Sequence, residues 1–144
     1  MEGFKLEDRI AKDLKREGYH YKRIKTRNSG FKGDNEIADF YVYSYPNLIY
    51  LEAKSVKGRV LPFSSIRVNQ AVGLYNASQT PGVKAGFIVE FREANILLYI
   101  PINVIDNQLA QGIKSISLID ALESPEVIWI DKDISDAIIK IKEG

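Results

Sequence analysis

Asp39, Glu52 and Lys54 are the residues of this chain best placed to do chemistry together. Two apolar runs, residues 40–43 and 48–51, flank the break Ser44-Tyr45-Pro46-Asn47. That pattern predicts two strands joined by a turn. Asp39 opens the first strand, and Glu52 and Lys54 close the second. Side chains two apart on a strand point to one face, so Glu52 and Lys54 project together. Hairpin pairing brings Asp39 toward Glu52. Two carboxylates beside an ammonium make a site for a hard divalent cation with a cationic neighbour, an arrangement suited to phosphodiester hydrolysis. In that reading Asp39 and Glu52 are metal ligands and the Ala53 carbonyl is a further oxygen donor. Mg²⁺ fits such a set, and Mn²⁺ is expected to substitute. Lys54 would orient the attacking water or stabilise charge developing at phosphorus.

The composition removes other chemistries. There are no cysteines and a single histidine, which excludes thiolate nucleophiles, thiolate zinc sites and paired-histidine metal sites. At 144 residues, 45% hydrophobic and 27% charged, the chain reads as one soluble α/β domain over residues 1–144. No apolar run approaches the roughly 20 residues of a membrane span, and the first residues lack a signal-peptide core. A cytoplasmic protein is the simplest expectation. The net charge of +1 conceals an asymmetry: residues 1–67 hold 14 Lys/Arg against 9 Asp/Glu, and residues 68–144 hold 6 against 10. The basic half is the half with the carboxylates, so a polyanion drawn there would meet them. Lys22, Arg23, Lys25, Arg27, Lys32, Arg59 and Arg67 are candidate phosphate contacts.

The elements that must position these residues follow from periodicity and breakers. Residues 4–17 read as an amphipathic helix stopped by Gly18, and residues 19–26 as a strand. Residues 27–35 form a loop with Gly30 and Gly33. Residues 36–43 and 48–55 are the hairpin strands, and residues 56–65 a loop. Ser65 is a plausible N-cap for a helix over residues 66–77. Residues 85–91 and 96–100 are apolar strands around the polar tip Arg92-Glu93-Ala94-Asn95. In the tail, residues 104–109 suggest a short helix, 127–130 a strand and 134–142 a helix, with Trp129 expected in the core. Tyr19, Tyr21, Tyr41 and Tyr43 alternate along strands, and such aromatics serve more often as core or sheet-face residues than as base-stacking platforms. The order implies a mixed central sheet flanked by helices.

An acid, a hairpin and Leu51-Glu52-Ala53-Lys54, framed by an acidic helix and a polar one, resemble the PD-(D/E)xK nuclease superfamily. Within it the pattern is similar to Holliday junction resolvases of the bacterial RecU and archaeal Hjc types. Asp39 stands 13 positions before Glu52, the spacing of those enzymes. Leu6-Glu7-Asp8 sits where the family has an active-site glutamate. Leu61-Pro62-Phe63 with Asn69-Gln70 resembles the loop and helix holding a family glutamine, and Gly86-Phe87-Ile88-Val89 and Tyr99-Ile100-Pro101-Ile102 resemble later core strands. Ala38 stands where the superfamily often has proline. The resemblance implies a restriction-endonuclease-like core, Glu7 as a further metal ligand and catalytic residue, Gln70 as a holder of Lys54 or a phosphate, and Ser29 in a loop that reaches the scissile phosphate. It further implies a Mg²⁺-dependent endodeoxyribonuclease active as a homodimer on four-way junctions. Another PD-(D/E)xK nuclease cutting duplex or flap DNA, and a catalytically silent DNA-binding module, remain open alternatives.

Overall fold

In the computed structural model, residues 2–24 and 36–144 are described, with side chains from Lys5 onward. Leu6, Ile10 and Leu14, spaced at i, i+4 and i+8, are almost wholly buried and give helix α1 (Glu2–Arg16) its inner stripe. Gly18 ends it at φ +78°, a conformation that costs glycine little, while the Tyr19 amide donates back to Leu14 O at 3.0 Å. Six strands make the main sheet: β1 (His20–Arg23), β2 (Phe40–Ser44), β3 (Asn47–Val56), β5 (Val83–Phe91), β6 (Ile96–Pro101) and β8 (Ile128–Trp129), in the order β1-β2-β3-β5-β6-β8. Only β3 and β5 run parallel; the other neighbours are antiparallel. Their crossover contains β4 (Val60–Pro62), a 3-10 turn (Phe63–Ser65) and helix α2 (Val68–Ser78). Helix α3 (Ile102–Ala110), strand β7 (Ser115–Ser117), helix α4 (Leu118–Glu123) and helix α5 (Ile134–Glu143) complete the chain, and β7 pairs with β4 in a small second sheet.

Alternation on the central strands divides the core in two. Phe40, Val42, Ile49, Leu51, Ala53 and Ile88 pack toward α1 and α5. Ala85, Phe87, Val89 and Phe91 pack on the opposite face, with Leu74 of α2 and Ile102 and Ile105 of α3. The fold is therefore a mixed α/β sandwich around a six-stranded sheet, as the sequence pattern implies.

Four local expectations change. Residues 36–39 are not strand: β2 begins at Phe40, and before it the Asp39 carbonyl accepts from the amide of Ile24 at 2.7 Å, just past the end of β1. Ser65 does not cap α2: Arg67 occupies the N-cap without a side-chain hydrogen bond, and the Ser65 hydroxyl donates to Pro62 O at 2.7 Å. Residues 60–62, read as loop, pair with β7. Trp129 is not core: β8 is a two-residue edge strand, and the indole is 53% exposed.

Candidate active site

The hairpin register places the carboxylates. Phe40 lies opposite Leu51, so Asp39, one residue before the strand, comes opposite Glu52. There the ladder ends, and the Ala53 amide is taken by Asp39 Oδ2 at 2.9 Å instead of by a backbone carbonyl. The N–H and C=O of one strand residue point to the same side, so the Ala53 carbonyl also faces the Asp39 edge. Asp39 and Glu52 are 6% and 5% exposed. Burial at that level is rare for carboxylates without compensating charge.

Lys54 lies on the Glu52 face, as the two-residue spacing requires. Its Nζ is 3.6 Å from Glu52 Oε2 and donates to the Ser65 carbonyl at 2.8 Å. The 3-10 turn before α2 thus aims the ammonium: the Ser65 hydroxyl fixes the turn and the Ser65 carbonyl fixes the lysine. Gln70 sits on the first turns of α2, 2% exposed, and its Oε1 has no hydrogen-bond partner among the described residues. A buried acceptor left open is uncommon in native proteins and points to a ligand or water.

Glu7 faces Arg23. It belongs to α1, which covers the opposite sheet face, and its Oε1 is 3.7 Å from Arg23 Nε. Arg23 also bonds Asp8 at 2.8 Å and lies 6.0 Å from the centre of the Phe40 ring. Its guanidinium is only 19% exposed, turned toward α1 and away from solvent. Among the described residues no three His, Cys, Asp or Glu side chains form a ready-made metal-holding group; Asp39 and Glu52 are the two carboxylates that the hairpin register sets opposite each other. Lys22, Arg59 and Arg67 are exposed. Lys25, Arg27, Ser29 and Lys32 lie outside the described residues.

No family model matches the sequence, and no curated protein matches it. Solved structures do. Hjc of Archaeoglobus fulgidus, a Holliday junction resolvase from an archaeal hyperthermophile, superposes with a TM-score of 0.55 over 94% of this chain and 98% of its own, at 14% identity. The fold is restriction-endonuclease-like. At this identity it is the architecture that the two chains share.

Two features escaped the sequence reading. Ser65 acts through its backbone carbonyl, which leaves no side-chain signature. Ser55, Glu90 and Arg92 form a chain of hydrogen bonds one residue beyond Lys54: the Ser55 hydroxyl donates to Glu90 Oε1 at 2.8 Å and accepts from Arg92 at 2.9 Å. The pairing of Ser55 with Glu90 across β3 and β5 would have signalled it, had the parallel register been known. A cavity of about 620 Å³ lies away from the candidate site, lined by Val83, Ala85, Tyr99 and Ile128. Val83 and Ala85 pair with Leu48 and Tyr50, toward the opposite end of β3 from Lys54. Burial there pushes the Tyr99 phenol well above the usual tyrosine range.

Proposed function

We propose that this chain is a metal-dependent, structure-selective DNA endonuclease, a Holliday junction resolvase acting as a homodimer. The observation that carries the reading is the burial of Asp39 and Glu52 side by side at the end of the hairpin ladder, with Lys54 held against Glu52. Two adjacent carboxylates repel, and one ammonium offsets only part of that repulsion. An all-oxygen set of two carboxylates and a carbonyl fits Mg²⁺, with Mn²⁺ as a substitute. When bound, the ion would supply Lewis-acid activation of water for attack on phosphorus.

The chain's own residues take the remaining roles. Asp39 and Glu52 would hold the ion, and Asp39 is itself held by the Ala53 amide. Lys54, preset by the Ser65 carbonyl, would stabilise charge on the phosphoryl oxygens as it develops. Gln70 would offer its open Oε1 to a water or to Lys54. Exposed Lys22, Arg59 and Arg67 would neutralise backbone phosphates without reading bases. A four-way junction has near two-fold symmetry, which a two-fold dimer matches with one site on each of two strands.

The test is cleavage of a four-way junction and of linear duplex with the same arms, with and without Mg²⁺. The parent protein should cut the junction only with the ion and should scatter light as a dimer. Asp39→Asn and Glu52→Gln should lose cleavage and keep DNA binding, since affinity comes from the basic residues. Variants that cut within about tenfold of the parent would remove the carboxylates from the active site. Equal cutting of duplex and junction would favour a general nuclease. Binding without cleavage by the parent would favour a silent DNA-binding module.

A further inference from the structure

The sheet face that carries Asp39 and Glu52 continues away from them as a row of tyrosines. Along β2, Phe40 and Val42 turn into the core beneath α1, and Tyr41 and Tyr43 turn to the Asp39 side. Tyr41 lies opposite Tyr50 of β3 and Lys22 of β1; Tyr43 lies opposite Leu48 and His20. The Tyr41 and Tyr50 rings meet edge to face, 6.4 Å between centres. Tyr43 is 46% exposed, Lys22 and His20 are exposed, and Tyr45, at 78%, stands at the hairpin tip. α2 packs on this same face, where Leu74 joins the cluster of Ala85 and Phe87 from β5. Tyr43, Lys22 and His20, on the two outer strands, stay open to solvent.

We propose that this face is a stacking platform for unpaired bases of the DNA strand that enters the candidate site, an inference that rests on the DNA reading above. Alternate strand residues lie about 6.8 Å apart, roughly twice the 3.4 Å rise per nucleotide of a stacked strand. The rings therefore suit nucleotides drawn apart, and the bases of an intact duplex are closed to them. Aromatic faces accept any base, and a neighbouring lysine meets the phosphate, the combination by which single strands are held without sequence preference. Lys22 supplies the cation, one strand away from Tyr41. The row is continuous with the carboxylates: Tyr41 is two residues from Asp39, and Tyr50 two from Glu52, so a strand lying along it leads to the chemistry.

The experiment measures anisotropy of a labelled oligothymidylate and of a labelled duplex with the full chain in chelator, so that nothing is cut. Tyr43→Ser should weaken oligothymidylate binding by about tenfold or more. It should leave duplex affinity within about twofold and the salt slope unchanged, because stacking releases no counterions. Tyr43→Phe should restore the parent value, and Tyr41→Leu, which keeps apolar area, should behave as Tyr43→Ser does. Unchanged oligothymidylate affinity in both the serine and leucine variants, or an equal loss on duplex, would overturn the proposal. A change in mass by light scattering with parental oligothymidylate affinity would also overturn it, and would mark the face as a contact between copies. A parent that cuts nothing but binds oligothymidylate in a Tyr43-dependent way would sink the nuclease reading and keep the platform. Cleavage by a parent whose single-strand binding ignores Tyr43 and Tyr41 would do the reverse.

Discussion

Replacing Gln70 with methionine should make the protein more stable and less active. The amide is 2% exposed and its Oε1 has no partner among the described residues. A buried acceptor left unsatisfied costs about 1–3 kcal/mol. Methionine is unbranched, polarizable and adaptable, so it removes the acceptor with little change in packing. The net gain is then about 1 kcal/mol, a rise of roughly 2–4 °C in the melting temperature of a chain this size. Junction cleavage should meanwhile fall by about 10², the scale of losing one preorganised polar group. Thermal unfolding by circular dichroism and single-turnover cleavage read the two effects separately. A variant that melts lower and cuts at the parental rate would refute the reasoning, since the glutamine would then be an ordinary part of the packing.

Lys54→Ala should lower the cleavage rate by about 10² while retaining the parent's circular dichroism; an unchanged rate would exclude a catalytic lysine. Gly86→Ala should destabilise by about 1–3 kcal/mol, because the new methyl would stand 2.6 Å from Ile100 O and 2.7 Å from the Tyr99 hydroxyl; the urea midpoint checks this. Tyr99 makes stability fall in alkali. Its folded pKa is raised by burial, so above the unfolded value of about 10 the unfolded chain loses this proton while the native state keeps it. Tyr99→Phe should flatten the decline in urea midpoint above about pH 10, and an identical decline in the variant would show that another group causes it.

The sheet and its helices were legible because their patterns are long. Leu6, Ile10 and Leu14 mark one face of α1, and the two apolar runs around Pro46 give the hairpin and its register. Shorter elements carry no period to read. Val60–Pro62 and Ser115–Ser117 are three residues each, and Gly58 and Pro62 argue for loop; only the partner strand makes either one a strand. Within the candidate site, Asp39, Glu52 and Lys54 follow from local spacing alone. The burial of Gln70 depends on how α2 lands on the sheet, and the partnership of Glu7 with Arg23 depends on α1 crossing the opposite face. Neither is a local property, so neither could be read along the chain. Ser65 failed as a cap for a related reason: the chain turns as a 3-10 segment there, one step before α2 begins at Val68.

That turn makes position 65 a silent post. The oxygen that grips Lys54 belongs to the main chain, and every amino acid carries one. Scanning position 65 with other side chains would remove the hydroxyl's brace to Pro62 and still leave the gripping oxygen in every variant. What the grip depends on is chain length: the residues between the end of β3 at Val56 and the start of α2 at Val68 set where that carbonyl arrives. One residue added or removed there would carry the oxygen away from the ammonium, a defect no substitution can imitate. Relatives of this protein could thus vary freely in the letter at this point while holding the count of letters around it fixed.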